Sequence, residues 1–317
     1  MMSFIRKSPS LVALSMAALF CLASIASPQV HPEFHHLHGG VIEGLYFLDS
    51  NRGWTAEDGG RIRYTTDGGV DWNYATIADS TSEIRVPLRG VFVMQIQNDL
   101  MGWAVGDGGV VLRTVPGTNG QSWMDGNPTD RVRSSRDDPP PCGGNLAELF
   151  DIVMLDPLNG WVVGNDGAIR VTSYDGSTWT TPPNLPAEFG CGNNPRDAYV
   201  IHFFSDSSYQ NGVIASEYGD VYTTVDGGAS WQAVDLEAGG LCPTGGVEHD
   251  NLELWSLSFD DPASSTSPGW IVGGRSFGPG FILHTTGGGL DGTWSQSSCF
   301  QFMDPTTGIG NCGIGTQ

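Results

Sequence analysis

The sequence predicts an all-β protein, a β-propeller of four-stranded antiparallel blades with five full blades and part of a sixth. Two series of tryptophans support this, together with a fixed order of strand-like runs between them. The third observation is that no segment after residue 40 sustains a helical period.

The first series follows a glycine: Gly53-Trp54, Gly102-Trp103, Gly160-Trp161, Gly212-Val213 and Gly269-Trp270. The second lies downstream of each: Trp72, Trp123, Trp179, Trp231 and Trp294. Spacings run from 49 residues (Trp54 to Trp103) to 63 (Trp231 to Trp294). Self-similarity at such a period marks a repeat architecture, in which single units cannot bury their faces alone.

Each repeat opens with an apolar strand and polar turn, as in LYFLDSNRG or DIVMLDPLNG. A short strand then starts at the Gly-Trp step (WTAED, WAVGD, WVVGN, VIASE, WIVGG) and leads to a Gly-rich turn. A third strand ends on Thr65, Thr114, Thr172, Thr224 or Thr285, and a fourth starts around the second tryptophan. Short β-rich runs between Gly, Asp and Asn turns are hairpin signals. Radial repetition of such sheets leaves only short, protected edges. Blades are expected at about 41–80, 89–130, 149–185, 199–237 and 254–298, with a partial one at 299–317.

TTDGGVDW and TVDGGASW fit the Asp-box pattern through Thr65, Asp67, Gly69, Trp72 and through Thr224, Asp226, Gly228, Trp231. A short carboxylate accepts backbone N–H bonds in a tight turn, and glycine takes φ angles closed to other residues. The other three copies decay, which favours a structural turn over a site.

The repeat resembles the bacterial neuraminidase repeat, and the combined pattern is most similar to the photosystem II stability/assembly factor family. That resemblance covers roughly residues 41–312. It implies a non-enzymatic protein-binding or assembly scaffold, whose partner is a protein such as a membrane complex on the exported side. The alternative is a sialidase-like glycoside hydrolase or glycan-binding lectin. The chain ends where a sixth blade has only begun. Either it is a fragment of a longer ring, seven-bladed as the resemblance implies, or residues 28–40 return to complete it; that segment supplies one strand at best, which favours the fragment.

Residues 1–26 read as a cleaved secretory signal: Arg6 and Lys7, an apolar run from Leu11 to Ile25, and a small-residue site ending at Ala26. A secreted or periplasmic location follows, with a His-rich segment over 27–40 ahead of a propeller domain at 41–317. Without the signal, 12 arginines face 35 acids, 12 − 35 = −23. This excludes nucleic acid and anionic membrane surfaces as natural partners. Cys142, Cys191, Cys242, Cys299 and Cys312 remain, and export makes disulfides permissible, between adjacent connectors or between Cys299 and Cys312.

Strand connectivity sends the second-to-third-strand turns and the blade connectors to one face and the Asp-box turns to the other. The inserted connectors 124–148, 180–198 and 232–254 share the first face, where loop-built binding is expected. Asp58, Asp107, Asp166 and Glu217 recur after the Gly-Trp step. A catalytic carboxylate pair should break the repeat, and these obey it. Arg63, Arg113 and Arg170, with Tyr222 and His284 at or near equivalent places, form a candidate partner-contact patch; ion pairs with neighbouring acids are the plainer alternative. A sialidase arginine triad lacks its entry motif here. His31, His35, His36 and His38, and the Glu248-His249-Asp250 cluster, have no firm ligand spacing, so no metal or other cofactor is expected.

Overall fold

The computed structural model describes residues 40–78, 86–135, 144–190, 195–234, 252–275, 280–290 and 294–300. The signal segment, the N-terminal histidines, Cys142, Cys191, Cys242, Cys312, the Glu248-His249-Asp250 cluster and everything after residue 300 lie outside the described residues. So does much of the inserted connectors.

Five sheets follow one another, mostly four-stranded and antiparallel. The first blade holds β1 (Ile42–Phe47), β2 (Gly53–Glu57), β3 (Ile62–Thr65) and β4 (Asn73–Tyr74); a further strand, β5 (Thr76–Ala78), comes next in the chain. The second holds β6 (Leu88–Ile96), β7 (Asp99–Gly106), β8 (Val111–Thr114) and β9 (Ser122–Asp125). The third is β10 (Leu149–Met154), β11 (Gly160–Gly164) and β12 (Ile169–Thr172). The fourth is β13 (Ala198–Phe203), β14 (Gly212–Ser216), β15 (Val221–Thr224) and β16 (Gln232–Val234). The fifth is β17 (Leu252–Phe259), β18 (Gly269–Arg275), β19 (Gly280–Thr285) and β20 (Ser295–Phe300). The opening strands β1, β6, β10, β13 and β17 contact one another in that order and form the inner wall.

Both halves of the Gly-Trp step have a steric reason. A Cβ at Gly53, Gly212 or Gly269 would strike the ring of Phe47, Phe203 or Phe259, the residue that ends the preceding strand. The indole beside each glycine crosses to the next blade. Trp54 donates its N–H to the Gly120 carbonyl at 2.9 Å, and Trp103 donates to that of Asp175 at 2.8 Å. A Cβ at Gly120 would stand 2.7 Å from the Trp54 ring, one at Gly176 would stand 2.9 Å from Trp103, and Gly228 lies closer still to Trp161. Only a hydrogen atom fits in that gap. Each wedge anchors an apolar layer between neighbouring blades: Trp54 with Leu88, Leu112 and Trp123; Trp103 with Leu149 and Trp179; Trp161 with Phe203 and Trp231. Where Val213 replaces the tryptophan, fully buried Phe204 packs edge-on against Phe259 at 4.7 Å in the same layer as Trp294.

Four expectations are corrected. Residues 76–78 do not belong to the first blade. They run parallel to β9 and make the second sheet five-stranded, with Ile77 registered on Trp123. The fourth strand of the third blade shrinks to a single bridge between Val171 and Thr180, because Pro182 and Pro183 follow at once and cannot donate to a ladder. The disulfide expectation fails as well: the described residues contain no such bond. Residues 299–300 close the fifth blade rather than opening a sixth.

Trp103→Ala should therefore lower the unfolding free energy by about 3–5 kcal/mol through the cavity it leaves. Trp72→Ala, at a half-buried position, should cost clearly less. Urea unfolding of the two variants checks the order.

Candidate functional site

The threonine that ends the third strand organises the turn after it. Thr65 Oγ1 donates to Asp67 Oδ1 at 2.7 Å and accepts the Gly69 N–H at 2.9 Å; Asp67 in turn accepts the Asp71 N–H at 3.0 Å. Thr224, Asp226, Gly228 and Ser230 repeat the arrangement at 2.8, 2.9 and 2.9 Å. These bonds hold both carboxyls below their ordinary range, through the Asp71 N–H for Asp67 and the Ser230 hydroxyl for Asp226. Trp72 closes its own turn on the Gly69 carbonyl at 3.2 Å. The Trp231 N–H, although buried, has no acceptor among the described residues. The Oδ1 atom of each of these two aspartates is thus engaged within its own turn.

The opposite face is built differently. All five opening strands carry a bulge at the same place, between Ile42 and Gly44, Leu88 and Gly90, Leu149 and Asp151, Ala198 and Val200, and Leu254 and Ser256. The extra residues are Glu43, Arg89, Phe150, Tyr199 and Trp255, in one row across the blades. A bulge leaves its residue outside the ladder and re-aims its side chain. Backbone bonds from the second-to-third-strand turn fix the spot: Asp58 N–H to the Val41 carbonyl, Asp107 to Pro87, Asn165 to Glu148 and Glu217 to Asp197, all 2.9–3.0 Å.

Along the row, the Arg89 guanidinium lies 5.5 Å from the centre of the Phe150 ring, which stacks on Tyr199 at 5.3 Å. Arg89 grips Asp107 with two bonds, 2.7 and 3.3 Å, and reaches Glu148 at 3.5 Å. These carboxylates raise its already high pKa. Trp255, 48% exposed, donates to Glu253 at 2.7 Å. Asp197 is pushed up to about 6 by burial and by Glu217, Asp166 and Glu148, against one N–H bond from Asp166. Burial and the charges of Asp197, Glu253 and Glu217 also push the Tyr199 phenol up. The four recurring carboxylates Asp58, Asp107, Asp166 and Glu217 thus sit on this face, where the sequence places them.

The five positions selected from the sequence do not form one patch. Arg63, Arg170 and Tyr222 share a register, opposite Thr55, Val162 and Ile214, whereas Arg113 and His284 sit opposite Trp103 and Trp270, on the other side of the sheet. Arg63 is buried beside Glu57 at 2.8 Å and donates to the Tyr74 hydroxyl at 2.8 Å. Among the described residues Arg170 pairs with no carboxylate: it gives its protons to the carbonyls of Arg133 (2.7 Å), Ile169 (2.8 Å) and Ser134 (3.2 Å), and burial brings it down to about 10. It clamps the inserted connector to the blade. Arg113 meets Asp175 at 2.5 Å, Tyr222 is buried with its hydroxyl 3.2 Å from Asp220, and His284 packs on Trp270. The bulge row is not among the residues that the sequence singles out: a bulge breaks the alternation by one residue at the start of a short strand, and only aligning Glu43, Arg89, Phe150, Tyr199 and Trp255 from their strand starts exposes the common break.

No family model matches the chain. Over 122 residues it is 30% identical to the photosystem II stability/assembly factor HCF136 of Arabidopsis thaliana, a stretch covering 38% of this chain and 26% of that protein. The chain resembles the YCF48/HCF136-like propellers. Among solved structures, YCF48 bound to D1 peptide aligns with a TM-score of 0.44 and 17% identity over 82% of this chain and 64% of that one. An ancestral GH74 enzyme aligns at 0.51 and 14% over 81% and 31%. At such identities, likeness to a structure speaks for the fold alone.

Asp151, beside the third bulge, bridges blades by accepting the Ile201 N–H at 3.0 Å and the Ile152 N–H at 2.8 Å. Burial nevertheless pushes it up to about 7. Asp151 and Asp197 hold their protons more tightly folded than unfolded. Their contribution is complete below about pH 4 and is lost as pH rises through about 7. Asp151→Asn should flatten the fall in stability between pH 4 and 8 by on the order of 1 kcal/mol or more. Melting curves of parent and variant at several pH values read this directly.

Proposed function

We propose that this chain is a non-enzymatic binding propeller, exported through its N-terminal signal, that docks a segment of another protein on the bulge face and serves as an assembly scaffold. The observation that carries the reading is the single row formed by Arg89, Phe150, Tyr199 and Trp255, because a partly exposed aromatic row flanked by fixed polar groups is what a bound chain needs. The sequence match to a stability/assembly factor supports the scaffold role. We read the threonine–aspartate turns as Asp-box turns that brace the far side of the ring and take no part in binding. The recurring carboxylates support binding over catalysis: Asp107 is neutralised by Arg89, and the Glu217 carboxylate accepts the Asp197 N–H at 3.4 Å.

The test is a peptide array and a glycan array probed with the mature chain, run beside a glycan hydrolysis assay. Peptides should be retained, and Phe150→Ala combined with Trp255→Ala should reduce retention at least ten-fold, while Val70→Ala on the opposite face leaves it unchanged. Glycan turnover without peptide retention would replace this reading with the hydrolase one.

A further inference from the structure

The chain contains three Asn-Gly steps, at 119–120, 159–160 and 211–212. This dipeptide is chemically labile, because a glycine without a Cβ lets its backbone nitrogen reach the side-chain amide carbon of the asparagine before it. Folding decides which step reacts. Asn159 gives its side-chain amide to Asp156 Oδ2 at 2.7 Å and its N–H to Asp156 Oδ1 at 2.9 Å, and Gly160 is buried in β11 between Met154 and Thr172. Asn211 gives its N–H to Ser207 Oγ at 3.0 Å and accepts that of Phe204 at 2.9 Å, and Gly212 is buried in β14 between Phe203 and Thr224. Both steps are locked into sheet.

The step at 119–120 has another setting. It forms the tip between β8 and β9, closed by the Gln121 N–H on the Thr118 carbonyl at 3.1 Å, with φ of 50° at Asn119 and 73° at Gly120. Positive φ at both central residues is the type I′ turn that Asn-Gly favours. Asn119 is exposed, and among the described residues neither its side-chain amide nor the Gly120 N–H has a hydrogen-bond partner. The Gly120 carbonyl, by contrast, accepts the Trp54 N–H at 2.9 Å and the Trp123 N–H at 3.0 Å. The reactive tip therefore abuts the joint between the first two blades.

We propose that Asn119 is a self-modifying site, whose conversion to isoaspartate loosens that joint. When the tip opens, the Gly120 nitrogen attacks the Asn119 side-chain carbon. A C–N bond forms, the Gly120 N–H proton passes to solvent base, and ammonia leaves with a proton taken from water, giving a five-membered succinimide. Water then opens the ring. Opening at the side-chain carbonyl returns ordinary aspartate; opening at the main-chain carbonyl leaves isoaspartate, whose backbone runs through the former side chain and carries one extra methylene. That lengthens the main chain by about 1.5 Å ahead of Gly120. A Cβ at Gly120 would already stand 2.7 Å from the Trp54 ring, so a shift of that size does not fit beside the indole and breaks the two tryptophan bonds.

The test ages the full chain in mildly alkaline buffer and reads timed digests by mass spectrometry, with fragment ions separating isoaspartate from aspartate. Residue 119 should gain about 1 Da. It should do so about ten-fold faster than 159 or 211, whose sheets open far more rarely. The melting temperature should fall in step with the isoaspartate fraction. Asn119→Gln, whose longer side chain closes a six-membered ring far more slowly, should keep its melting temperature through the same treatment. Freshly purified Asn119→Asp carries the new charge on an unaltered backbone and should melt close to the parent. Modification at 159 or 211 first, or none at 119, overturns the assignment. Isoaspartate at 119 with an unchanged melting temperature, or an equal fall on ageing in Asn119→Gln, overturns its link to the joint, as does fresh Asn119→Asp melting as low as the aged parent.

Discussion

The ring depends on one contact: an indole from the second strand of a blade laid against a glycine in the outer turn of the next. Trp54 on Gly120, Trp103 on Gly176 and Trp161 on Gly228 are the same joint made three times. A large ring buries much apolar area, and the missing Cβ opposite it sets the distance between sheets. The hydrophobic layers, the order of the inner strands and the lining up of the bulges follow from that spacing. The fourth joint, without its tryptophan, is rebuilt from Phe204 and Phe259. The architecture therefore specifies a volume at this point rather than a residue type.

That joint also explains which parts of the fold were legible in the chain. Tryptophans and glycines at fixed offsets are rare enough to align by eye, so blade number and strand order could be read directly. Strand identity at the rim could not. Asn73–Tyr74 and Thr76–Ala78 look like one strand, and only the reach of the second sheet separates them. The failed fourth strand at Thr180 was legible in principle, from the two prolines behind it.

The bulge face shows a similar division. Its recurring acids are visible because they follow the Gly-Trp step, but the residues between them are hidden, since a bulge shifts register without changing composition. Arginines on third strands drew notice by their spacing. In the folded chain Arg63 and Arg170 are buried structural groups that hold Glu57 and the connector at 133–135. Side chains that alternate across a strand cannot share a surface when their positions differ by one.

The β5 clasp has a consequence for how the molecule is made. Residues 76–78 can find their place only after 122–125 has been synthesised, so the earliest sheet emerges from the ribosome with its tail unsecured. The first two wedges must then mature as a pair, and the amino-terminal third of the array becomes a single cooperative folding unit, whereas later sheets can be added one at a time.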